Sequence, residues 1–132
     1  MLFLDLDGFK QVNDDLGHDA GDLLLKEVSN RVERCVRKTD TVIRLAGDEF
    51  TVILEGLKTG TTEATLFAER IMDAIRRPIQ IGDAFPEVGV SIGIAIRESQ
   101  ESTDLDELLK RADMAMYAAK RAGKGRVAVD RS

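Results

Sequence analysis

The chain has one cysteine, Cys35, and one histidine, His18, among its 132 residues. A single thiol cannot close an internal disulfide, and one thiol with one imidazole cannot make a zinc set. A reducing, cytoplasmic setting is therefore expected. No apolar run approaches the ~20 residues of a membrane-spanning helix, so this domain is expected to make no membrane contact. Met1 to Leu6 is apolar but carries no basic leader, and reads as a strand, not a signal peptide. Basic charge is in deficit, with 19 Lys and Arg against 24 Asp and Glu. Nucleic-acid binding needs Lys and Arg to displace counterions, so this balance argues against such a partner. It leaves room for a small phosphate ligand, because a few local cations and a metal can outweigh overall charge.

A hydrophobic fraction of 43% with 33% charged residues excludes disorder by composition. With no repeat or linker, residues 1–132 read as a single domain. Met1 to Leu6 predicts a strand ending at the Asp5-Leu6-Asp7-Gly8 corner. Leu24, Val28, Val32 and Cys35 fall at helical spacing over about 19–38. Thr41 to Leu45 and Phe50 to Leu54 flank Ala46-Gly47-Asp48-Glu49 as a hairpin. A helix follows over 62–77, stopped by Pro78, and then a strand over 88–96. Asp104 with Glu107 signals the start of a last helix, whose stripe includes Leu105, Leu108, Leu109, Ala112, Met116 and Ala119. Gly123 and Gly125 end it, and Val127 to Val129 can close the sheet. The order predicts an α+β fold with helices on one face of a mainly antiparallel sheet, the hairpin mid-sheet and its turn near the end of the first strand.

Both turns, Asp5-Leu6-Asp7-Gly8 and Gly47-Asp48-Glu49, are acidic. Aspartate favours turns in any case, since it accepts hydrogen bonds from nearby backbone amides. Two such turns delivered by apolar strands also suit magnesium, which takes a few carboxylate oxygens and fills its octahedron with phosphates and water. Phosphoryl transfer is catalysed mainly by positioning and charge neutralisation. Candidate cations are Lys10, Lys120 and Lys124. The last two would share one side of a helix end, although lysines there also compensate the helix dipole. Gly8 beside Phe9 and Lys10 lets backbone amides approach an anion.

Three stretches carry a family resemblance. Phe3 through Asp22 resembles the opening signature of GGDEF domains, Arg44 through Phe50 resembles their signature hairpin, and Ala112 through Arg126 resembles their closing helix. The resemblance spans essentially the whole chain. It implies a diguanylate cyclase of palm, ferredoxin-like nucleotide-cyclase architecture, joining two GTP into cyclic di-GMP with release of pyrophosphate. It implies magnesium, or manganese in its place, held by the carboxylates of Asp5 and Asp48 and the Leu6 carbonyl. Glu49 would stand beside the reacting groups as metal neighbour, phosphate neighbour or base for the 3′-hydroxyl. Gly8, Phe9, Lys10, Lys120 and Lys124 would bind phosphates. Asn13 and Asp22 would read guanine, whose Watson–Crick edge offers a carboxylate two N–H donors that adenine lacks. Arg37-Lys38-Thr39-Asp40 matches the family's RxxD inhibitory motif, so Arg37 and Asp40 would bind the product. The same pair could otherwise be an ordinary i,i+3 surface ion pair.

A two-fold symmetric product implies catalysis by a homodimer. Two departures from the family stand out. Ala46 replaces the first glycine of the hairpin motif; if that position needs φ > 0, its methyl would cost about 1 kcal/mol and crowd the ligand. The family's preceding segment, with its Asp-x-Leu-Thr-Gly-Leu-x-Asn-Arg-like stretch, is missing. A domain lacking that segment is expected, fused in its parent to sensor or EAL phosphodiesterase domains. The alternative to a cyclase is a regulatory module that binds GTP or cyclic di-GMP and controls such an attached domain. His18, Cys35, Met114 and Met116 read as packing or surface residues.

Overall fold

In a computed structural model, which describes residues 1–98 and 102–130, Leu2–Asp7 forms the first strand, β1. Its alternation sets the architecture. Leu2, Leu4 and Leu6 point to one face and are fully buried, while Phe3, Asp5 and Asp7 point to the other. The elements that follow are α1 (Phe9–Leu16), α2 (His18–Cys35), β2 (Thr41–Ala46), β3 (Glu49–Ile53), α3 (Thr61–Arg76), β4 (Gly89–Ile94), α4 (Leu105–Arg121) and β5 (Val127–Val129). The sheet order is β2-β3-β1-β4-β5, antiparallel except between β4 and β5. The expected α+β class, with a mainly antiparallel sheet and flanking helices, is what forms. Among the described residues no helix is long and apolar enough to cross a membrane.

Three expectations of placement need correction. The hairpin β2–β3 lies at one edge of the sheet, not in its middle. β1 takes the centre because both its faces are covered, whereas no residue of β2 is buried. Helices cover both faces, not one. α2 and α3 pack with Leu4, Val28 and Ile71 on one side, and α4 covers Met1, Phe3 and Ala95 on the other through Leu108, Ala112 and Met116. Finally, Phe9–Leu16 is a helix that periodicity did not announce, because Val12 is its one buried residue.

Gly93 explains the second face. A Cβ there would overlap the Ala112 carbonyl and the Met116 amide, both backbone, so α4 reaches the sheet only across a glycine. Asp104 then starts α4 as read, accepting the Glu107 amide at 2.8 Å. Gly93→Ala is expected to cost about 3 kcal/mol in urea unfolding, because neither backbone can yield easily. Gly89→Ala, whose nearest new neighbour would be 3.8 Å away, should cost less than about 1 kcal/mol.

Candidate active site

The two acidic turns meet at one end of the sheet. Antiparallel pairing sets Asp5 opposite Glu49, which folds the hairpin turn over the end of β1. The Leu6 amide donates to the Asp48 carbonyl at 3.2 Å, and the Asp48 carboxylate lies near enough to Asp5 to favour its protonated form. Arg44 Nε spans the turn to the Gly47 carbonyl at 3.0 Å. Gly47 takes φ +49°, whereas Ala46 is a strand residue outside the left-handed region. The backbone strain considered for Ala46 does not arise.

Lys120 on α4 leans over this corner, its Nζ 3.1 Å from Asp5 Oδ2 and 3.5 Å from Asp7 Oδ1. One ammonium does not balance the carboxylates gathered here. Burial raises the Asp5 carboxyl to about 6; Lys120 opposes the rise and Asp48 adds to it. Burial likewise raises Glu49, helped by Asp113 of α4 and by Asp48. Burial works against the Lys120 ammonium, but Asp5 and Asp7 prevail and hold its pKa above the ordinary value. Asp5 Oδ1 is buried without a hydrogen-bond partner.

The residues expected to bind the nucleotide lie around α1 and the end of α4. Gly8, at φ +86°, enters α1 with no side-chain cap, which leaves first-turn amides for an anion. Lys10 is exposed and Phe9 half-buried. Asn13 Oδ1 is a second buried oxygen without a partner. It lies against Gly21 of α2, where a Cβ would overlap it, and Asp22, the next residue, is exposed. Lys124 requires a correction. α4 ends at Arg121, and Gly123 at φ +129° with Lys124 at φ +63° turns the chain away. Lys120 and Lys124 therefore share no helix face.

Arg37 and Asp40 sit at the base of the hairpin, about 20 Å of strand away from the acidic turn. Arg37 Nε and Nη2 reach Asp40 Oδ2 and Oδ1 at 3.0 and 2.9 Å, and Nη2 also reaches the Glu55 carbonyl at 2.7 Å. Asp40 accepts the Arg37 and Glu55 amides as well. Burial opposes its ionisation, yet these donors prevail and lower its pKa. The pair clasps β2 to the end of β3, and both Arg37 and Arg70 lie 5.2 Å above the Phe67 ring. Cys35 and Met116 are buried, Met114 and His18 exposed.

A family model described as "Diguanylate cyclase, GGDEF domain" matches residues 1–126. The chain belongs to the GGDEF family. It is similar to the signaling protein YkoW of Bacillus subtilis, 45% identical over 126 residues, covering 96% of this chain and 16% of that protein. It is 44% identical over 124 residues to the bifunctional diguanylate cyclase/cyclic di-GMP phosphodiesterase MucR of Pseudomonas aeruginosa, covering 94% and 18%. The chain thus spans less than a fifth of either relative. The solved GGDEF domain of TpbB (YfiN) from Pseudomonas aeruginosa matches with TM-score 0.92 and 39% identity, over 99% of this chain and 81% of that one. The sheet is the nucleotide-cyclase palm.

Sequence reasoning about this GGDEF domain passed over Asp7, Ser91 and Asp113. Asp7 stands at i+2 from Asp5 and Asp113 at i−7 from Lys120, so strand and helix periodicity could have placed each beside its neighbour.

The family implies magnesium, and the corner suits it: two adjacent carboxylates, one buried oxygen without a partner, and a carboxyl whose proton affinity is raised. Among the described residues no group of three or more carboxylate, imidazole or thiolate side chains could hold a metal. The pKa of Asp5 gives a pH test. It is about 6 folded against an ordinary 3.8, so protonation of Asp5 stabilises the fold below pH ~4 and is lost as pH rises through ~6. Without divalent cations, Asp5→Asn should raise the Tm at pH 7.5 by a few degrees, about 1 kcal/mol after solvent screening. It should also flatten the fall between pH 4 and 6. Added magnesium should stabilise the unaltered protein and not the variant.

Proposed function

We propose that this domain is a diguanylate cyclase that works as a two-fold homodimer in the cytoplasm and is inhibited by its own product. The observation that carries the reading is the meeting of Asp5 and Asp48, with an unpartnered oxygen, beside a lysine and an uncapped helix start. One domain would hold one GTP. Asn13 and Asp22 read the guanine. Gly8, Phe9, Lys10, Lys120 and Lys124 hold the triphosphate through amides and ammonium groups. The carboxylates of Asp5 and Asp48 and the Leu6 carbonyl would hold magnesium, which would supply charge neutralisation at the phosphates. The 3′-hydroxyl of each GTP attacks the α-phosphate of the other, a new P–O bond forms, and pyrophosphate leaves. The raised proton affinity of Glu49 suits it to accept the hydroxyl proton. By analogy with MucR, an attached phosphodiesterase domain is a natural neighbour in the parent protein.

Chromatographic assay of GTP turnover at varied protein concentration tests this. Cyclic di-GMP should form at a rate that rises more steeply than linearly with protein, and Asp48→Asn should lower it by about 100-fold or more with the fold retained. GTP binding without product from a forced dimer would instead mark a regulatory module.

The inhibitory reading requires Arg37 and Asp40 to exchange part of their mutual clasp for product. Arg37→Ala should weaken cyclic di-GMP binding about tenfold while turnover persists, since a guanidinium fork grips phosphate bidentately. Unchanged product affinity in calorimetry would leave the pair as a purely structural clasp.

A further inference from the structure

Asp5 and Asp7 leave β1 on the same face, two residues apart, yet their surroundings differ. Asp5 keeps a buried oxygen without a partner. Asp7 has its oxygens filled by protein donors. Ser91 Oγ lies 3.0 Å from Oδ1 and 2.9 Å from Oδ2, and the Gly125 amide donates to Oδ2 at 3.0 Å. Lys120 Nζ lies 3.5 Å from Oδ1. Ser91 is fully buried on β4 and also accepts the Gly125 amide at 3.3 Å.

We propose that Asp7, seated on Ser91, is a positioning residue that sets Lys120 and the Lys124–Gly125 turn for the triphosphate and takes no part in holding the metal. The assignment of the triphosphate rests on the cyclase reading above. The turn needs such an anchor. Lys124 has a left-handed backbone that L-residues disfavour. Its amide returns to the Ala119 carbonyl at 3.1 Å. The next residue is gripped on both sides, its amide by Asp7 and its carbonyl by Arg76 Nη2 at 2.9 Å. Lys120 is shared between two carboxylates, so a cation taking Asp5 leaves the ammonium tethered to Asp7, beside the phosphates. A carboxylate already surrounded by three protein donors has little room for a metal.

Two measurements on Asp7→Asn test this, one without any ligand. Amide hydrogen exchange at Gly125 should quicken about tenfold, the equivalent of one hydrogen bond to a charged group. Residues 112–119 of α4 should stay protected. Binding of 3′-deoxy-GTP, which cannot cyclise, should weaken by about the same factor. The magnesium concentration giving half-maximal binding should stay within about twofold, and the effect should vanish in a Lys120→Ala, Lys124→Ala background. A magnesium requirement that rises in parallel would make Asp7 a ligand, and an unchanged affinity or a fully additive loss would overturn the positioning role. If Asp7→Asn does not fold, Ser91→Ala removes one donor from the carboxylate and should give the same pattern, more weakly. Failure of the unaltered protein to bind GTP would sink the cyclase reading and the phosphate half of this inference, while exchange at Gly125 still decides the anchoring half.

Discussion

The antiparallel pairing of β1 with β3 drives Asp5, Asp48 and Glu49 into one corner, and like charges do not assemble unless a backbone compels them. At an effective dielectric near 20, two unit charges 4 Å apart cost about 4 kcal/mol. Here the compulsion is hydrophobic. Leu2, Leu4, Phe50 and Val52 are all 0% exposed, and each contributes about 1.5–3 kcal/mol by burial. The two strands would pair whatever their ends carried. The acidic corner is held by the sheet's core, and Lys120 with the raised proton affinity of Asp5 and Glu49 absorbs what repulsion remains.

The two faces of the sheet then divide the labour. The face under α2 and α3 holds the larger core cluster. The face under α4 carries a smaller cluster at one end and the charged groups at the other. Gly93 lets α4 approach closely enough for Lys120, two turns beyond Ala112, to reach across to the ends of β1. Ser91, on the same strand as Gly93, supplies the hydroxyl beneath Asp7. A single strand, β4, therefore sets both the height of the helix and the footing of the second carboxylate.

What the sequence made legible was what depends on neighbours in the chain. The first strand read over Met1 to Leu6, the cap at Asp104 and the Gly47-Asp48 turn are local, and each forms. Sheet order and the side each helix covers are decided by long-range pairing, which periodicity does not encode, so the hairpin lies at the edge where mid-sheet is expected, and helices cover two faces where one is expected. α1 escaped because one buried residue makes no stripe. Lys120 and Lys124 are four residues apart, but the helix-ending Gly123 stands between them, so helical spacing does not carry across.

The same distinction separates glycines that matter from those that only spell a motif. At position 46 the family's glycine is replaced, yet the backbone there is extended and the residue exposed, so alanine meets no conformational penalty. At position 21 the backbone needs no glycine freedom at all, but a methyl would occupy the space of Asn13 Oδ1. That oxygen is buried and without a partner, a state that costs about 1–3 kcal/mol unless a ligand donor answers it. The departure at Ala46 thus adds no backbone strain to the hairpin turn. A substitution at Gly21, on a helix away from the hairpin motif, would displace the residue assigned to the base.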